Sequence, residues 1–210
     1  MSVEPQSRRQ RKLIAAARTA AAHLPPALPP ALFLTDPART PDPAGIANGL
    51  PAGFGVIYRH FGVPDRSEAA HLLAQICRRR GLCLLIAGDP HLACAVDADG
   101  VHWPFRMRQA ARKWQGRFAL QTMSAHSPRE LRIAEGFPVD GVVLSTAFAS
   151  ASPSAGRPLG AIRFHRLARE AGSPVYALGG ITAETAGIAA KVAGFAAVNG
   201  MRPFGPAIRT

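Results

Sequence analysis

The sequence predicts a compact (β/α)8 barrel preceded by a basic helical extension, and three observations carry that expectation. Eight short apolar runs recur between residues 31 and 198 without polar alternation, as strands buried on both faces of a parallel sheet require. Segments of helical character separate them. The first run ends in Thr35-Asp36-Pro37, not in the glycine-rich turn that opens a doubly wound nucleotide-binding sheet.

The expected strands are residues 31–34, 55–58, 83–87, 100–103, 118–123, 141–144, 175–178 and 195–198. The connection after the first is rich in Pro and Gly, so any helix there is short, over 43–48. Residues 65–80 read as a helix: Asp65 suits the cap, Ala69, Leu72, Leu73 and Ile76 share a face, and Arg78-Arg79-Arg80 complement the C-terminal dipole. Further helices are expected over 89–96 and 105–115. One over 128–136 follows Ser127, with Pro128 in its first turn. The helix over 161–171 stops at Gly172, and the one over 182–192 has Thr182 as its cap. Little chain follows the eighth strand, so a last helix is short or missing.

Length and composition agree with this reading. The chain has 210 residues with 48% hydrophobic and 18% charged side chains, enough apolar material for a core. The formal net charge is +12; the only lysines are Lys12, Lys113 and Lys191, so arginine dominates the basic set. No run of eighteen apolar residues is present, which argues against a membrane partner. Cys77, Cys83 and Cys94 are odd in number and irregular in spacing, which suits a reduced compartment, and a cytoplasmic location is expected.

Residues 1–30 form the basic Ala/Pro-rich extension, and residues 31–210 the barrel. Arg8, Arg9, Arg11, Lys12 and Arg18 face one acid, Glu4. A helix over 10–23 is expected to pack under or beside the domain, although its composition also resembles an organellar transit peptide. A second acid-free run holds Arg106, Arg108, Arg112, Lys113 and Arg117. Without an RNA-binding aromatic motif or zinc spacing, it reads as a solvated helical face, with nucleic-acid association through the basic faces as the minority alternative.

In a barrel the chemistry sits at the carboxyl ends of the strands. Polar groups gather there: Thr35-Asp36, Arg59-His60, Gly88-Asp89, His102-Trp103, Ser124-Ala125-His126, Ser145-Thr146, Gly179-Gly180 and Asn199-Gly200. Gly179-Gly180 lets backbone approach a ligand, and a helix starting at Thr182 would add free N–H groups. Arg59 can pair with an anion, with Asn199 and Gly200 adding donors. His126 and Ser124 are the candidate catalytic groups, His102 reads as a structural histidine, and Trp103 and Phe61 either wall a flat ligand or pack in the core or rim.

The ordered strand ends resemble the thiamine phosphate synthase family with its thiazole tautomerase (TenI-like) relatives. The carriers are Leu32-Phe33-Leu34-Thr35-Asp36-Pro37, Asp99-Gly100-Val101-His102, Ser124-Ala125-His126-Ser127 with Glu130, Pro158-Leu159-Gly160, and the segment Pro174-Val175-Tyr176-Ala177-Leu178-Gly179-Gly180-Ile181-Thr182. The resemblance implies a transferase of thiamine biosynthesis or salvage that takes a small phosphorylated heterocycle, with Mg2+ holding a leaving diphosphate. A homo-oligomer stays open.

The pattern is incomplete. A Gln-x-Arg-x-Lys strand end is represented by Ile57, Arg59 and Phe61, so only the arginine is kept. Asp89 is the one implied metal ligand retained; the second acid falls near Met107, and no acid occurs between Asp99 and Glu130. A Thr-x-Thr-Lys loop corresponds to Ser150-Ala151-Ser152-Pro153, without the lysine, and Thr146 stands where tautomerases can carry a histidine. The alternative is therefore a catalytically degenerate barrel that binds a ligand without turning it over.

Overall fold

The computed structural model describes residues 6–152 and 155–206. Pro153 and both ends of the expected domain bounds lie outside the described residues. Eight parallel strands close on themselves in chain order: β1 (Ala31–Leu34), β2 (Gly55–Tyr58), β3 (Cys83–Ala87), β4 (Gly100–Trp103), β5 (Leu120–Ala125), β6 (Gly141–Ser145), β7 (Val175–Leu178) and β8 (Gly194–Ala197). The seam pairs Phe33 of β1 with Ala197 of β8.

Strand alternation divides the apolar residues into two shells. Leu32, Leu34, Ile57, Leu85, Ala87, Val143, Tyr176 and Ala196 fill the barrel, while Phe33, Val56, Tyr58, Leu84, Ile86, Val101, Trp103 and Phe195 pack outward against helices. The same alternation decides between pocket wall and core packing for Trp103. With His102 turned inward, Trp103 is buried in the outer shell, where its indole N–H donates to Gln121 Oε1 at 2.8 Å. It walls no cavity at the mouth.

The helices follow their sequence signals. α1 is Gln6–Ala21, α2 Pro43–Gly49, α3 Arg66–Arg80, α4 Pro90–Ala95, α5 Arg108–Lys113, α6 Pro128–Ala134, α7 Gly160–Glu170 and α8 Ala186–Ala189. Asp42, Asp89 and Ser127 cap α2, α4 and α6 through side-chain oxygens, each followed by proline. The expected helix over 105–115 divides into a 3-10 turn, Phe105–Met107, and α5.

The larger correction is α8, a single turn where a helix over 182–192 was expected. Hydroxyls take the backbone groups that would have started it: Thr185 Oγ1 donates to the Gly180 carbonyl at 2.7 Å and accepts from Thr182 N–H at 2.8 Å.

Among the described residues beyond β8 there is a 3-10 turn, Asn199–Phe204, and no longer helix. α1 occupies the flank that a last helix would cover. Its buried face of Leu13, Ala16, Ala17 and Ala20 packs on β8, α8 and that turn. Gln6 and Gln10 each donate to the Pro203 carbonyl, at 2.6 and 2.7 Å. The following segment closes the amino-terminal end of the barrel: Leu24 and Leu28 join the inner shell, and Tyr176 Oη donates to the Pro29 carbonyl at 2.9 Å.

Candidate active site

A cavity of about 350 Å³ opens at the carboxyl end of the barrel. It brings together Arg59, His126, Gly179, Gly180, Asn199 and Gly200 from four different strand ends. Asp89 and Ser124 are not in its wall.

Arg59 enters from β2. Its backbone N–H donates to Thr35 Oγ1 at 2.9 Å and its Nε to the Thr35 carbonyl at 3.1 Å, so β1 aims the side chain. Nη2 lies 3.8 Å from Asp36 Oδ2. Burial lowers the guanidinium pKa from its usual value and Asp36 opposes that shift; arginine stays charged throughout.

Sequence reasoning missed the neighbour of this pair. Arg39, from the β1–α2 connection, donates through Nη2 to Asp36 Oδ2 at 2.7 Å and through Nη1 to Ser152 Oγ at 3.2 Å. Asp36 Oδ1 accepts from the Arg39 N–H at 2.9 Å and the Ala38 N–H at 3.2 Å, a turn that holds the arginine three residues on. The Asp-x-x-Arg spacing after a strand end was the signal available. The Arg39 bond, against some opposition from burial, holds the Asp36 carboxyl down at about 2.

Gly179 and Gly180 have φ of +94° and +64°. A Cβ at Gly179 would sit 2.7 Å from Thr146 Cγ2, and one at Gly180 would strike the Ala149 carbonyl oxygen. The glycines thus admit the β6–α7 loop as well as leaving backbone bare at the cavity. Among the described residues, the Gly180 and Gly200 N–H groups find no protein acceptor. Thr182 N–H is taken by Thr185, so it offers no free donor.

The histidines divide. His102 is buried, with Nδ1 2.8 Å from Thr122 Oγ1 and Nε2 2.7 Å from Ser124 Oγ. Burial, reinforced by Arg59 and His126, lowers its pKa to about 3, so it is neutral near pH 7. Ser124 therefore pairs with His102 on the neighbouring strand β4, not with His126 two residues along. His126 is exposed at the mouth, its Nδ1 2.7 Å from Ser145 Oγ and its backbone N–H donating to Glu130 Oε2 at 2.7 Å.

Asp89 is spent elsewhere. Oδ1 accepts from Leu92 N–H at 2.9 Å as the α4 cap, and Oδ2 binds Arg66 Nη1 at 2.6 Å. Burial opposes its charge, but those bonds outweigh it and the pKa is lowered. Among the described residues no three His, Cys, Asp or Glu side chains converge as a metal site. Mg2+ is commonly held by one or two carboxylates with substrate phosphate and water, so a cation at Asp89 would have to displace Arg66 and draw its remaining oxygens from the ligand and solvent.

Two arginines of the basic run around α5 pack on aromatic rings, while Arg106, Lys113 and Arg117 are exposed. Arg108 lies over Phe105 and Arg112 over Phe137, at 5.0 and 4.6 Å from the ring centroids, and Trp114 stacks on Phe118. No helix among the described residues is long and apolar enough to cross a membrane.

Fold and site together define a (β/α)8 barrel with a basic cavity at the strand ends, built beside glycine-rich loops after β7 and β8. Residues 45–201 match the family model described as thiamine monophosphate synthase. The chain belongs to that family, whose place is in thiamine biosynthesis. It is 37% identical to the thiamine-phosphate synthase of Methylobacillus flagellatus over 144 residues, 65% of this chain and 68% of that one. It is 32% identical to the enzyme of the same name from Synechococcus sp. (strain CC9605) over 120 residues, 56% of this chain and 34% of that one. The chain thus spans about a third of the Synechococcus relative. The thiamine phosphate pyrophosphorylase structure from Pyrococcus furiosus shares the fold, with a TM-score of 0.66 and 19% identity over 83% of this chain and 91% of that one.

Proposed function

We propose that the chain binds a phosphorylated thiazole, or a closely related phosphorylated heterocycle of thiamine biosynthesis, in the 350 Å³ cavity. One observation carries the reading: Arg59, Gly180, Asn199 and Gly200 converge on one space whose described wall contains no carboxylate. In this reading the phosphate takes the bare N–H groups of Gly180 and Gly200 and the charge of Arg59. The heterocycle lies toward His126 and Ser145. In a transfer reaction, His126 holds or moves a proton at the mouth, and Ser124 is oriented by the neutral His102 behind it.

A second reading, ligand binding without synthase turnover, is favoured by the condition of Asp89. Both of its oxygens serve Arg66 and the α4 cap. Calorimetry with the thiazole phosphate and with the unphosphorylated thiazole alcohol tests the shared claim: saturable binding is expected of the first and weak binding of the second. Equal affinities would remove the phosphate site. Adding the pyrimidine methyl diphosphate, with and without Mg2+, and following thiamine phosphate separates the two readings. Product formation identifies a synthase; bound ligand without product identifies a binding barrel.

A further inference from the structure

We propose that Arg39 is the residue that grips the ligand phosphate and sets the preference for phosphorylated over unphosphorylated ligands; this rests on the phosphate-binding reading above. The argument starts from the division of labour within one guanidinium. Nη2 is committed to Asp36 at 2.7 Å, a short charge-assisted bond that fixes the plane of the group. Among the described residues Nη1 meets only a neutral hydroxyl, Ser152 Oγ, at 3.2 Å. A phosphate oxygen is the stronger acceptor for that second nitrogen, since charge-assisted bonds are roughly twice as strong as neutral ones.

The placement of charge supports the same assignment. Asp36 contacts Arg39 at 2.7 Å and lies 3.8 Å from Arg59, yet it is absent from the cavity wall while both arginines are in it. The carboxylate thus stands behind two guanidiniums and orients them, leaving net positive charge toward the ligand. Arg39 stands beside Ser150, Ser152 and Gly180 in that wall, so an anion at the bare Gly180 and Gly200 N–H groups lies in the same space as its Nη1.

Arg39 also lines the adjoining groove of about 870 Å³, which shares Thr182, Asn199 and Gly200 with the cavity. Its bond to Ser152 joins the β1–α2 connection to the β6–α7 loop at that boundary. Exchange of this bond for a phosphate oxygen would bind the anion at the junction of both spaces.

The test compares the full chain with Arg39→Ala, Arg39→Lys and Ser152→Ala by calorimetry against inorganic phosphate, the thiazole phosphate and the thiazole alcohol. Arg39→Ala is expected to weaken both phosphate-bearing ligands at least tenfold and to leave the alcohol within twofold. Arg39→Lys should not restore binding, because a point charge cannot serve Asp36 and the phosphate through one planar fork. Ser152→Ala should leave affinity within threefold. If Arg39→Ala binds both phosphate ligands as the unaltered chain does, or loses phosphorylated and unphosphorylated ligands equally, the assignment is overturned and Arg39 is a loop tie. If the unaltered chain shows no preference for the phosphorylated ligand, the phosphate-binding reading itself fails, a result distinct from either. A thermal melt of each variant separates lost folding from lost grip.

Discussion

The two halves of the barrel mouth handle their polar groups in opposite ways. Where β1, β2, β7 and β8 end, Arg39, Arg59, Gly180 and Gly200 present donors to an open cavity. Where β3, β4 and β5 end, polar groups satisfy one another: Asp89 with Arg66 and the α4 cap, and His102 with Thr122 and Ser124. The difference teaches that a strand-end residue of the expected type is available to a ligand only if no neighbour has claimed it. Asp89 has the right identity and position for a metal ligand, and Arg66, 23 residues upstream, takes it.

The largest effect is expected where the open half is most tightly built. Gly180→Ala adds a Cβ against the Ala149 carbonyl at a φ of +64°, so stability should fall by about 3 kcal/mol or more. Urea unfolding with near-normal stability would show that the β6–α7 loop does not depend on this glycine. Asp89→Ala sharpens the contrast from the closed half. Loss of the cap and of a partly exposed ion pair should cost about 2 kcal/mol while thiazole phosphate affinity stays within twofold. A large loss of affinity with unchanged stability would place Asp89 in the ligand site.

A pH series probes the buried pair in the closed half. The pKa of His102 is about 3 in the folded chain and near 6.5 when unfolded. The unfolded state therefore takes a proton first, and stability falls as pH drops from 6.5 toward 3, by about 1 kcal/mol at pH 5.5. His102→Gln should flatten that slope in urea titrations; the shift of His60, also lowered by burial, leaves a residue of it. Asp36 acts in a more acidic window. Its carboxyl is depressed to about 2, so its contribution is complete above about 4 and fades as pH falls toward 2. The smallest effect lies away from both halves. Arg112→Ala removes a stacking contact on Phe137 and should change stability by about 0.5 kcal/mol.

Much of this was legible in the chain. All eight strands were located from continuous apolar runs, and the start of α6 from Ser127 standing before a proline. The grouping of Arg59, His126, Gly179, Gly180, Asn199 and Gly200 followed from strand ends alone, because a closed barrel brings every such end to one mouth. The length of α8 was not legible, since Thr182 and Thr185 are acceptable at a helix start and their hydroxyls compete with it only in the folded turn. Nor was the orientation of Trp103, which depends on which neighbour turns inward.

The sequence by itself determined the class of fold, the order of its elements and which residue types stand at the strand ends. Those properties rest on local patterns: apolar runs, caps, and residue types at strand ends. Only the tertiary structure decided partners, because hydrogen bonds and ion pairs form between residues far apart in the chain. It set α1 against the turn after β8, with Gln6 reaching Pro203 across 197 positions. It gave Ser124 to His102, closed Asp89 with Arg66, and brought Arg39 to Ser152 across 113 positions.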